Sequence, residues 1–135
     1  MKTFTDECNE LQEEIQLAYQ QGVTMEEAEK LAARFLHAQM LVANELRVTD
    51  LDARMRKSGT KAVRAKVYLD AITGVEKKPT EGTLTALIDT NGLVSEEQNA
   101  LDKAEAYRDQ LKNYFDIFGN SHVYFRGIAK GNFSG

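Results

Sequence analysis

Only one proline, Pro79, interrupts 135 residues, and proline is the residue that most surely breaks the i to i−4 hydrogen-bond ladder of a helix. Almost the whole chain is therefore open to helix formation. Alanine, leucine, glutamate, lysine, glutamine and arginine are abundant and tryptophan is absent, so local propensity also favours long helices and argues against a β-sandwich. With 42% hydrophobic and 28% charged residues, the chain has the composition of a folded soluble protein and not of a disordered tail. Its length suits one domain.

Capping residues and glycines divide this helical chain. Phe4, Cys8, Leu11, Ile15 and Tyr19 recur at three- and four-residue spacing and predict a first helix ending at Gly22. Thr24 and Glu27 have capping-box spacing and open a second helix at about residue 25, with Ala28, Leu31, Phe35, Val42 and Leu46 as its apolar seam. Ser58-Gly59-Thr60 can end that helix and cap the next, or be tolerated inside one rod at about 1 kcal/mol for the glycine; the pattern points to a bend or break. A helical segment then runs to Gly74, and 74–82, holding Pro79, reads as a linker. Thr80 caps a short helix ended by Asn91-Gly92, and Ser95 with Gln98 opens a helix running to Gly119. Ser121 caps a last short helix before a frayed Gly/Ser end. The expected fold is all-α: a single domain of five to six helices with long amphipathic members, forming part of a homo-oligomer. Within it, 1–52 is an acidic helical part, 53–78 a basic helical segment and 83–131 a set of oligomerisation helices. Leu101, Leu111, Phe115, Phe118, Tyr124 and Phe125 are the candidate oligomerisation residues, with filling of the monomer's own core as the alternative.

Several chemistries find little support. The one cysteine, Cys8, falls in register with the first apolar seam and reads as core, consistent with a reducing cytoplasm. His37 and His122 lack partners at ligand spacing, so no metal and no other cofactor is expected. No apolar run approaches the ~20 residues of a membrane span, and Lys2 has no apolar stretch behind it that would make a secretory signal. The carboxylates sit at cap and surface positions, and the Gly127 region lacks phosphate-loop spacing. The chain reads as a non-enzyme.

The charge distribution is more informative. The formal net charge of −4 conceals an acidic 1–52 with four basic and eleven acidic residues and a basic 53–78 with eight basic and two acidic. The remainder, 79–135, has five basic and eight acidic residues. Arg54, Lys57, Lys61, Arg64 and Tyr68 follow a 3-4-3-4 rhythm, and if the helix continues through Gly59 they share an arc of about 80°. Cations displace condensed counterions from phosphates, and an aromatic ring offers a stacking surface to an unpaired base of any identity. That combination points to a single strand bound without sequence preference. The competing reading is a solvated face, or one paired with the acidic cluster Asp6, Glu7, Glu10, Glu13 and Glu14.

The run Lys61-Ala62-Val63-Arg64-Ala65-Lys66-Val67-Tyr68-Leu69-Asp70, closing with Thr73-Gly74, resembles the basic helix and glycine stop of the UvsY-type recombination mediator proteins of tailed bacteriophages. The order of parts over residues 24–131 is similar too, although Ala71-Ile72 stand where that family tends to have two aromatics. The resemblance implies a non-enzymatic, ring-like homo-oligomer in the bacterial cytoplasm that binds single-stranded DNA. It also implies a role in helping a RecA-type recombinase replace a single-strand-binding protein, with Lys61, Arg64 and Lys66 carrying the DNA contact. Two alternatives come from other classes. One is an acidic interaction protein, such as an anti-defence inhibitor or DNA mimic, that docks on a basic groove. The other is a virion assembly adaptor that uses its apolar seams only for packing.

Overall fold

The computed structural model describes residues 1–131 as four helices, with no strand among the described residues. They are α1 (Phe4–Gln21), α2 (Met25–Ile72), α3 (Glu81–Thr90) and α4 (Gly92–Ala129). Four replace the expected five to six because two predicted stops are passed. At Ser58-Gly59-Thr60 the ladder of α2 continues, and the Thr60 hydroxyl, in a buried residue, donates back to the Arg56 carbonyl at 2.9 Å. The threonine thus satisfies its own hydroxyl without capping anything. At Gly119, α4 also continues, and Ser121 is buried inside it and not at a new start. A side chain at Gly119 would run into Gln39, whose amide donates to the Phe115 carbonyl at 3.3 Å, so this glycine serves close helix approach.

Other boundaries follow local chemistry. Thr3 and Asp6 form a reciprocal capping box at the start of α1, and Gly22, at φ 73°, ends it in a conformation that favours glycine. Thr24 receives the Glu27 amide at 3.1 Å, as its spacing indicates. Asn91, and not Ser95, opens α4: its side-chain oxygen accepts from the Leu93 and Val94 amides at 3.0 and 3.1 Å. The Gly/Ser end at 132–135 lies outside the described residues.

The chain forms two compact units: Met1–Leu46 with the stretch from Gln110 onward, and Arg47–Asp109. The first unit is a three-helix bundle with an aromatic core. Phe35 stacks between Phe118 and Phe125 at centroid distances of 6.0 and 5.8 Å, Tyr114 stacks on Phe118, and Tyr19 on Phe125. The Tyr114 hydroxyl donates to the Asn9 side chain, and His122 Nδ1 lies 2.9 Å from the Ala32 carbonyl, its N–H donating in the tautomer this contact requires. The second unit packs 47–72 of α2 against α3 and the first part of α4 over smaller side chains, with Ala53, Thr60, Leu84, Val94 and Leu101 buried.

Two predictions follow from this packing. A Cβ at Gly59 meets nothing nearer than Glu97 Oε2 at 3.9 Å, so Gly59→Ala gains helix propensity without strain and should raise unfolding free energy by about 0.5–1 kcal/mol. A helix broken at Gly59 would instead be destabilised in the same urea titration. Cys8 is buried, and burial, with a smaller contribution from Glu7, pushes its thiol up to about 11. Native Cys8 should therefore alkylate at pH 8 about two orders of magnitude more slowly than a free thiol, and at the ordinary rate in denaturing urea.

Candidate nucleic-acid interface

Because α2 is unbroken, each residue advances about 100° around its axis, and Arg54, Lys57, Lys61, Arg64 and Tyr68 do fall within an arc of about 80°. All five belong to the second unit. Lys57 and Lys61 are exposed and form no ion pair among the described residues. Arg54 pairs with Asp50 one turn back at 2.9 Å, yet its side chain is 76% exposed. Arg64 reaches across to Asp89 of α3 at 3.1 Å, with both groups substantially open to water. Exposed pairs of this kind contribute only about 0–1 kcal/mol, so a phosphate can replace either carboxylate.

The aromatic member is less free than its spacing suggests. Tyr68 is half-buried, and Lys78 Nζ from the 73–80 connection sits 5.7 Å from its ring centroid, within cation–π range. A base stacking on that face of Tyr68 must displace Lys78. The same contact brings a fifth cation to the basic face. No sequence spacing pointed to it, because the path of an eight-residue connection is set by packing.

Two cations of the basic segment lie elsewhere on α2. Lys66 stands about 140° around the helix from Lys61 and so does not share a face with Lys61 and Arg64, the residues with which the resemblance groups it. The reason is its spacing, five residues from one and two from the other. Arg56 pairs with Asp52 at 3.0 Å and, with Ala100, Lys103, Ala104 and Tyr107 of α4, lines a shallow groove.

The candidate oligomerisation residues divide by burial. Leu101, Leu111, Phe118 and Phe125 are buried within a single chain and belong to its core, Phe115 is half-buried, and Tyr124 is exposed at 36%. The acidic residues of α1 also face water: Asp6, Glu7, Glu10 and Glu13 are exposed, whereas Glu14 is held by Arg34 at 2.8 Å. Both charged surfaces thus point outward, so exposure alone does not choose between a polyanion binder and an acidic docking protein.

Among the described residues, no group of three or more His, Cys, Asp or Glu side chains is arranged to hold a metal ion, and no helix is long and apolar enough to cross a membrane. In comparisons with known proteins, no family model, curated protein or solved structure matches the chain. The arrangement thus defines a helical protein with a solvent-open cationic face.

The loose hold on Arg64 can be checked. Asp89→Asn should change unfolding free energy by no more than about 1 kcal/mol. Leu84→Ala, at a buried position of the same short helix, should cost about 2–5 kcal/mol in the same titration.

Proposed function

We propose that the protein is a non-enzymatic mediator of DNA recombination that binds single-stranded DNA, without sequence preference, along the Arg54 to Tyr68 face of α2. The observation that carries this reading is the band of four cations on one exposed arc, two of them, Lys57 and Lys61, without ion pairs among the described residues. A solvated ammonium without a carboxylate partner loses little when it moves to a phosphate, and the released counterions drive binding. Once Lys78 is displaced from its face, Tyr68 offers a stacking surface to an unpaired base that a duplex, with its bases already stacked, does not use. The role beyond DNA binding, assisting a RecA-type recombinase to replace a single-strand-binding protein in the bacterial cytoplasm, rests on the resemblance of 61–74 to UvsY-type mediators. Four or five cations make a weak site, and homo-oligomerisation would multiply such contacts along one strand.

The exposed acidic face of α1 supports a second reading, an interaction protein docking on a basic groove. One experiment separates them. Fluorescence anisotropy of a labelled oligo-dT is expected to show affinity that falls steeply with salt. Lys57→Ala with Lys61→Ala should weaken binding and reduce the slope of log K against log salt by about 1.4, the contribution of two single-strand phosphate contacts. Binding that is absent, insensitive to salt or untouched by the double substitution contradicts the DNA reading and favours the second.

A further inference from the structure

A second stripe runs along α2, about a third of the way around the helix from the basic face. Val48, Leu51, Met55, Ala62, Ala65 and Leu69 are all exposed, the four large ones at 56–65% of their surface. With Ser58 they alternate at spacings of three and four, so that Val48, Met55, Ala62 and Leu69 take the a positions of a heptad, and Leu51, Ser58 and Ala65 the d positions. A repeat of 3.5 residues is the pattern that fits another helix, and here it lies on water.

We propose that this stripe is the seam of an antiparallel coiled coil between two copies of the chain, centred near Thr60. Charge and volume both select that occupant and orientation. In this register Leu51 meets Leu69 of the second copy, and Met55 meets Ala65, a large side chain against a small one. Flanking the seam, the e positions bring Asp52, whose exposed pair with Arg56 leaves it able to accept a second cation, opposite Lys66 of the second copy, twice by symmetry. Lys66 is the cation that falls off the basic face and forms no ion pair within the chain among the described residues. A parallel pair would instead set Lys61 against Lys66 on both sides of the seam, whereas the antiparallel pair has one such contact, Lys61 against Lys61 of the second copy near the centre. The small residues Ser58, Ala62 and Ala65 allow the two helices to approach closely at the middle.

The antiparallel arrangement has a functional consequence, which rests on the DNA reading whereas the dimer does not. In antiparallel coils g positions face g positions, so Arg54, Lys61 and Tyr68 of both copies border the same side. The two basic faces then adjoin in one track. Repulsion across it is relieved by a polyanion, so a single strand should strengthen the dimer, and the dimer should strengthen binding to the strand.

The test uses the full chain with Leu51→Cys or Leu69→Cys, and Cys8 is left in its buried position. Under mild oxidation without DNA, a mixture of the two variants should give a disulfide-linked dimer. Either variant alone should give at most about a tenth as much, since equivalent thiols would lie about 27 Å apart, far beyond the ~7 Å Cα limit for a disulfide. Light scattering should give a dimer mass for the unsubstituted chain, and Val48→Asp with Met55→Asp should reduce it to the monomer with an unchanged helical circular-dichroism spectrum. Efficient linking of Leu51→Cys to itself, or a monomer mass for the unsubstituted chain at every concentration, overturns the proposal. Because the linking needs no DNA, a missing dimer leaves the oligo-dT affinity to be judged separately, and a dimer that ignores oligo-dT removes the DNA reading while keeping the seam.

Discussion

The passage of α2 through Ser58-Gly59-Thr60 without a break is the constraint on which the surface of the second unit depends. A helix converts sequence spacing into angle only while its ladder is continuous; one kink at Gly59 would rotate Lys61, Arg64 and Tyr68 away from Arg54 and Lys57. The glycine costs about 1 kcal/mol of helix propensity, a penalty that tertiary packing readily overrides. Here the packing is visible on both sides of it, with Ala53 and Thr60 buried and the Thr60 hydroxyl returned to the Arg56 carbonyl. From that continuity come three stripes on one helix: a small-residue stripe facing α3 and α4, a cationic stripe and an apolar stripe.

The two units reach stability by different means. In Met1–Leu46 with the stretch from Gln110, large rings fill the core, and truncating a buried phenylalanine such as Phe35 or Phe118 is the kind of change that costs about 3–5 kcal/mol. In Arg47–Asp109 the buried set is mostly small or aliphatic, and the long side chains of Arg54, Lys57 and Lys61 stay in solvent. That division suits binding. On the proposed reading, the face exchanges carboxylate partners for phosphates, which calls for weak, hydrated contacts of the kind that hold Arg54 and Arg64.

Much of this was legible in the sequence, for reasons that can be named. The seam from Phe4 to Tyr19, the Thr24 and Thr80 caps and the glycine ends at Gly22 and Gly74 are local signals, and each marks a boundary in the structure. The 3-4 rhythm of Arg54 to Tyr68 needed only an unbroken helix to become a face. What misled were signals whose outcome is decided by tertiary contact. Gly119 and Ser121 have the look of a stop and a restart, but close approach to Gln39 and burial keep α4 intact through both. Ser95 offered a cap, and Asn91, four residues earlier, supplied it. The aromatic positions in α4 left core and interface equally open, and only burial distinguishes Phe118 from Tyr124. The resemblance grouped Lys66 with Lys61 and Arg64, and helical geometry sets it on a different side of α2 from them.

The central claim is that one cationic face of α2, and not the chain's charge in general, meets a single strand. Lysine acetylation read by mass spectrometry, with and without saturating oligo-dT, tests it most directly. The account predicts that Lys57 and Lys61 lose reactivity while the exposed Lys103 and Lys112 of α4 keep theirs. Protection spread evenly over all the lysines, or absent from Lys57 and Lys61, would contradict it.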